Sequence, residues 1–147
     1  MAPPQGEQAR DETMSEELLL TAYERAWNLH DAGACADCFA PGGIREMRLR
    51  WSHGAAAPAG PARGREAIRA DIALAMEAVP DLVIEVLGAG YASDRRLWTE
   101  WRLTGTCAGD EWSGPGRALE VLGVSVFHLS NSGFLEERLY WDSAFAR

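Results

Sequence analysis

A chain of 147 residues with a net charge of −8 and a sequence pI near 4.8 repels phosphate backbones and anionic lipid surfaces, so neither nucleic acid nor membrane is an expected partner. All 14 basic residues are arginine, and without lysine neither a Schiff-base intermediate nor a pyridoxal phosphate linkage can form. The length suits one domain around one core. Cys35, Cys38 and Cys107 are too few and odd in number for a secreted disulfide framework, and no segment nears the roughly 20 apolar residues of a membrane span, which predicts a cytoplasmic protein.

Residues 1–13 are rich in Pro, Gln and charge without apolar periodicity and read as a disordered tail ahead of a single domain at 14–147. Leu19, Ala22, Tyr23, Ala26, Trp27 and His30 recur at helical spacing, predicting a helix from Ser15 to His30. Asp31 suits the cap of a second, short helix through Phe39, which "PGG" at 41–43 ends. "IREMRLRW" then alternates with period two, Met47, Leu49 and Trp51 on one face and Glu46, Arg48 and Arg50 on the other, as in a half-buried strand. After a Gly/Pro/Ala loop over 52–63, Ile68, Ile72, Ala75, Met76 and Val79 form one stripe of a helix that stops at Pro80. Strands are expected at 82–87, 96–106, 117–129 and 134–141, with a bulge at Gly123. Helices gathered early and a strand meander late predict an α+β fold, a curved, antiparallel-rich sheet wrapped around the N-terminal helices into a cone-shaped barrel.

Cys35-Ala-Asp-Cys38 has metal or redox spacing but no second pair, and reads as two small core residues. His30, His53 and His128 stand singly, without a ligand spacing, so no metal is expected, and no cofactor motif is complete. "GAGYAS" reads as a turn, because it lacks a third glycine and leads into a strand. Six tryptophans remain, of which Trp51, Trp98, Trp101 and Trp141 fall in or at the ends of predicted strands. Their plain reading is core or interface packing; their functional reading is an aromatic-lined cavity holding an acid, Asp142 or Glu100. Strand parity puts Trp101 and Cys107 on one face, taken as the pocket side, and Trp98, Glu100 and Arg102 on the other.

"YERAWNLHDAGACADCFAPGG", "GREAIRADIALAMEAVPDL", "TEWRLTGTCAGDEW" and "VSVFHLSNSGFLEERLYWD" resemble, in order and spacing over residues 17–143, the SnoaL-like polyketide cyclases of the nuclear transport factor 2-like superfamily. The resemblance implies that Asp142 is the pocket acid/base of an intramolecular aldol closure. A carboxylate between apolar walls has its charged form destabilised and can take and return a proton near neutrality. Where those cyclases carry His, this chain has Cys107, and "PGG" stands where they carry an acid. The combined expectation is a cofactor-independent cyclase for a hydrophobic, polyketide-type intermediate, with Trp51, Trp101, Cys107, Tyr140, Trp141, Met47 and Tyr23 shaping the substrate site. A cycloaddition governed by shape fits equally. An enzymatic rival resembles the limonene-type epoxide hydrolases, with Glu100, Arg102 and Asp142 as an acid–arginine–acid set; the non-enzymatic rival is a ligand-binding or dimerisation module. A homodimer is expected, because the outer face of such an aromatic-rich sheet exposes a large apolar patch.

Overall fold

The computed structural model describes residues 5–48, 60–109 and 114–141, with side chains from residue 16 onward. In chain order the elements are α1 (Gln5–Asn28), α2 (Ala32–Asp37), β1 (Phe39–Met47), β2 (Ala62–Arg63), α3 (Arg65–Ala78), β3 (Val83–Tyr91), β4 (Arg96–Thr106), β5 (Ala118–Ser130) and β6 (Gly133–Trp141). The fold is α+β. One six-stranded sheet runs β2-β1-β6-β5-β4-β3, an antiparallel meander from β3 to β6 to which β1 adds in parallel. It is an open sheet rather than a barrel, since β2 and β3 form its two edges and do not pair.

α1 begins at Gln5, inside the stretch read as a tail; residues 1–4 lie outside the described ones. It ends where His30 enters the left-handed region at φ 55° and its Nε2 meets the Leu82 carbonyl 2.9 Å away. This accounts structurally for one of the three lone histidines. Asp31 caps α2 as expected, its carboxylate accepting from the Ala34 N–H at 2.9 Å. In α3 the expected stripe is real: Ile68 and Ile72 are fully buried, each contributing about 1.5–3 kcal/mol of hydrophobic stabilisation.

Two backbone expectations change. "PGG" does not end a helix but lies within β1, which starts five residues before Ile44; the register shift between Phe39 and Ile44 absorbs the extra residues. A Cβ on Gly43 would lie 2.9 Å from the Phe134 carbonyl oxygen, so only glycine lets β1 run this close to β6. Gly123 is not a bulge either, because β5 keeps unbroken register with β4 from Arg96↔His128 to Thr106↔Ala118. The irregularities fall between Val86 and Gly88 and between His128 and Leu129. The first of these carries β3 through most of the segment read as a turn.

Candidate functional site

A cavity of about 200 Å³ opens between α1, α3 and the inner face of the sheet. Strand alternation selects its lining. Arg45 and Met47 project from β1, Thr99, Trp101 and Leu103 from β4, Val121, Ser125 and Phe127 from β5, and Glu137, Leu139 and Trp141 from β6. From the helices come Tyr23 and Trp27, four residues apart on α1, and Asp71, Ala75 and Ala78, one row of α3 beside the Ile68/Ile72 stripe. Most of this wall is apolar.

Arg45 is 5% exposed and Glu137 2%. The two face each other directly in the parallel β1/β6 register, and Arg45 Nε donates to Glu137 Oε1 at 3.0 Å. The same oxygen accepts from the Tyr23 hydroxyl at 2.7 Å. Arg45 Nη1 donates to Asp71 Oδ2, so one guanidinium bridges two carboxylates, and its Cζ lies 5.5 Å from the centre of the Trp27 ring. Edge-on contacts with Trp27, Phe39, Phe127 and Phe134, at 5.4–6.2 Å between ring centres, hold the Tyr23 ring in place.

Burial, and next the Glu137 charge, raise the Tyr23 phenol well above its ordinary range, so it stays a neutral donor. Burial works against the Arg45 charge. The Tyr23 oxygen and the Glu137 and Asp71 carboxylates more than offset it, and the guanidinium holds its proton more tightly than a free arginine. Two of its five N–H donors meet these acids, the Tyr23 oxygen also hydrogen-bonds the guanidinium, and the group lines the cavity. Asp71, with 45% of its side chain exposed, is the carboxylate nearest solvent in the cluster.

Of the residues read from the sequence as site residues, Tyr23, Met47, Trp101 and Trp141 line the cavity. Trp101 Nε1 donates to Ser125 Oγ at 3.0 Å. Cys107 is buried, but past the end of β4 in the main core rather than against the cavity. Tyr140 has the opposite parity to Leu139 and Trp141 and is 38% exposed on the outer face of β6. Glu100 is exposed on the outer face of β4, as parity predicts; Arg102 shares that face and pairs at 2.6 Å with Glu85 rather than with any cavity acid. Trp51 and Asp142 lie outside the described residues, as does His53. Among the described residues no group of three or more His, Cys, Asp or Glu side chains has the geometry to hold a metal ion, and no helix is long and apolar enough to cross a membrane.

Arg45, Asp71 and Glu137 were not singled out from the sequence, yet each carried a signal. Arg45 shares parity with Met47 on the apolar side of its strand, Glu137 shares parity with Leu139 and Trp141, and Asp71 adjoins the apolar stripe of α3. A charge on the buried side of an amphipathic element is costly unless paired, and two such charges of opposite sign on different elements are candidates for each other.

Solved structures share this architecture at low sequence identity, which establishes the fold alone. A protein assigned as a SnoaL-like polyketide cyclase from Jannaschia sp. CCS1 superposes with TM-score 0.71 at 21% identity, covering 88% of this chain and 86% of that one. A ketosteroid isomerase-like fold from Catenulispora acidiphila DSM 44928, solved with trimethylamine, gives TM-score 0.71 at 17% identity, covering 87% and 88%. IdmH from Streptomyces antibioticus, assigned as a polyketide cyclase, gives 0.70 at 18%, covering 88% and 94%. Among curated proteins none matches this chain in sequence. A profile of the SnoaL-like domain, however, matches residues 20–137, from the α1 side of the cavity to Glu137 on β6, and the chain therefore belongs to the SnoaL-like domain family.

Proposed function

We propose that the chain is a cofactor-independent cyclase that holds a hydrophobic, oxygenated intermediate of the polyketide type in this cavity and closes a ring by proton transfer and confinement. The supporting observation is a charged corner in a largely apolar wall: a buried arginine that lines the cavity and is tied to Glu137, Asp71 and Tyr23. In an aldol-type closure Asp71 removes the proton α to a substrate carbonyl, and the enolate oxygen rests against the Arg45 guanidinium. The nucleophilic carbon attacks a second carbonyl of the same molecule, and Asp71 returns its proton to the new alkoxide. Glu137 and Tyr23 keep the guanidinium oriented. In this reading Arg45 supplies the polarising cation that the cyclases' histidine, replaced here by Cys107, would otherwise provide. Asp142 directly follows the cavity-lining Trp141 and is proposed as a second proton-transfer group.

A second reading, opening of an epoxide, is favoured by the same arginine bridging two carboxylates. The set would be Asp71, Arg45 and Glu137 in place of Glu100, Arg102 and Asp142. The test is turnover of synthetic enolisable polyketones, and of terpene epoxides, followed by chromatography. Asp71→Asn is expected to lower the rate on the productive class by roughly 10²- to 10⁴-fold, the usual worth of a general acid/base. If Asp142→Asn alone abolishes turnover while Asp71→Asn is silent, the proton-transfer role passes to Asp142. Wild-type protein inactive on both classes, and free of any small molecule by native mass spectrometry, leaves the non-catalytic dimerisation module as the better reading.

A further inference from the structure

We propose that Gly123 and Ser125 are specificity-determining positions, which set the size of molecule the cavity admits by fixing how Trp101 lies. This rests on the cavity being the substrate site. In β5, Gly123 pairs on one side with Trp101 and on the other with Trp141, and both tryptophans line the cavity. A Cβ built on Gly123 would lie 2.2, 2.5 and 2.7 Å from Trp101 Cζ2, Cη2 and Cε2. The six-membered half of the indole therefore reclines on the bare backbone of β5, in space that any other residue would fill. The other half is pinned two residues along the strand, where Nε1 donates to Ser125 Oγ at 3.0 Å, and Ser125 is itself 1% exposed.

Together these contacts lay one of the three tryptophans that line the cavity flat against the sheet. The backbone lies behind the ring and the cavity in front of it, so any displacement away from Gly123 goes into the space a ligand would occupy. Ordinary carbon contact needs roughly 3.5–4 Å, so an alanine methyl at 123 forces the ring edge forward by more than about 1 Å. Against about 200 Å³ that is a large change for one methyl. Loss of the Ser125 hydroxyl acts differently: it frees the indole to rotate and blurs the size limit. Neither residue is assigned a part in the chemistry.

The test uses the full chain and three neutral probes of increasing size, acetophenone, acetylnaphthalene and acetylanthracene, titrated by calorimetry. The readout is affinity for the largest ketone the wild type binds, relative to acetophenone. Gly123→Ala is expected to lower that ratio by about tenfold or more, the scale on which one misfitting methyl is discriminated in an apolar pocket. Gly123→Ala combined with Trp101→Phe, which removes the colliding ring, is expected to restore it. In Ser125→Ala the indole N–H resonance of Trp101 should shift and the ratio should move toward one. An unchanged ratio in Gly123→Ala, or no rescue by Trp101→Phe, overturns the proposal while leaving the cavity as the site. A wild type that binds nothing larger than acetophenone removes the substrate-sized cavity, and the proposal with it. Should Gly123→Ala fail to fold, the double variant and Ser125→Ala decide the matter by the same ratio.

Discussion

The buried charge cluster should cost the protein stability, and a set of core substitutions can measure how much. Glu137 accepts two hydrogen bonds on one oxygen, from Arg45 and Tyr23, in a site where both charged side chains are 5% exposed or less. Glu137→Gln keeps the acceptor and the shape but removes the charge. Each bond then falls from the charge-assisted range of about 1.5–3 kcal/mol to the neutral range of about 0.5–1.5, so the expected loss is about 2–3 kcal/mol. Glu137→Leu removes both bonds and leaves Arg45 with only the half-exposed Asp71, for an expected loss of about 3–5 kcal/mol. Replacing the three buried members of the cluster by apolar groups, Tyr23→Phe with Arg45→Met and Glu137→Leu, removes their desolvation cost along with the pairing and leaves only the half-exposed Asp71. That variant should be as stable as the wild type or more stable by up to about 4 kcal/mol, while losing turnover. The assay is urea unfolding followed by circular dichroism, reading the midpoint at constant slope. A triple variant destabilised by the sum of its single changes would refute the reasoning, because the cluster would then be three independent contacts rather than one coupled unit.

Alkaline pH should also lower stability. Burial first, then neighbouring negative charge, pushes the Cys35 thiol from 9.0 up to about 12 and Cys38 up to about 11, and raises the Tyr23 phenol as well. A raised group holds its proton longer in the folded chain than in the unfolded one. Its contribution is complete below the unfolded pKa and fades as pH climbs from about 9 through 12, so the urea midpoint should fall over that window and fall less steeply in Cys35→Ala/Cys38→Ala. The same burial predicts that a bulky thiol reagent labels Cys35 and Cys38 slowly in native protein and rapidly in urea, and fast native labelling of both would contradict the packing. Trp98, Leu122, Val124 and Tyr140 are 37–49% exposed on the outer sheet face. Sedimentation at micromolar concentration is expected to find a dimer that Trp98→Asp/Val124→Asp dissociates; a 16 kDa species in the wild type would count against it.

Local periodicity determined much of this protein. The Ile68/Ile72 stripe, the Asp31 cap, the limits of β4 and the inward aim of Trp101 follow from side-chain spacing, because each is decided within a few residues of chain. Parity likewise kept Glu100 and Arg102 out of the cavity. What periodicity cannot carry is which element lies beside which. β1 and β6 pair in parallel although far apart in sequence, and that pairing sets Arg45 opposite Glu137, 92 residues away. α3 then brings Asp71 to the same guanidinium and α1 brings Tyr23 to the same carboxylate, 114 residues from it. In sequence these four are ordinary polar residues on separate amphipathic elements; each is tolerable in a dry wall only because the others complete its charge or its hydrogen bond. Gly123 followed the same logic. Its spacing suggested a bend, whereas tertiary packing uses the missing side chain as the seat of an indole.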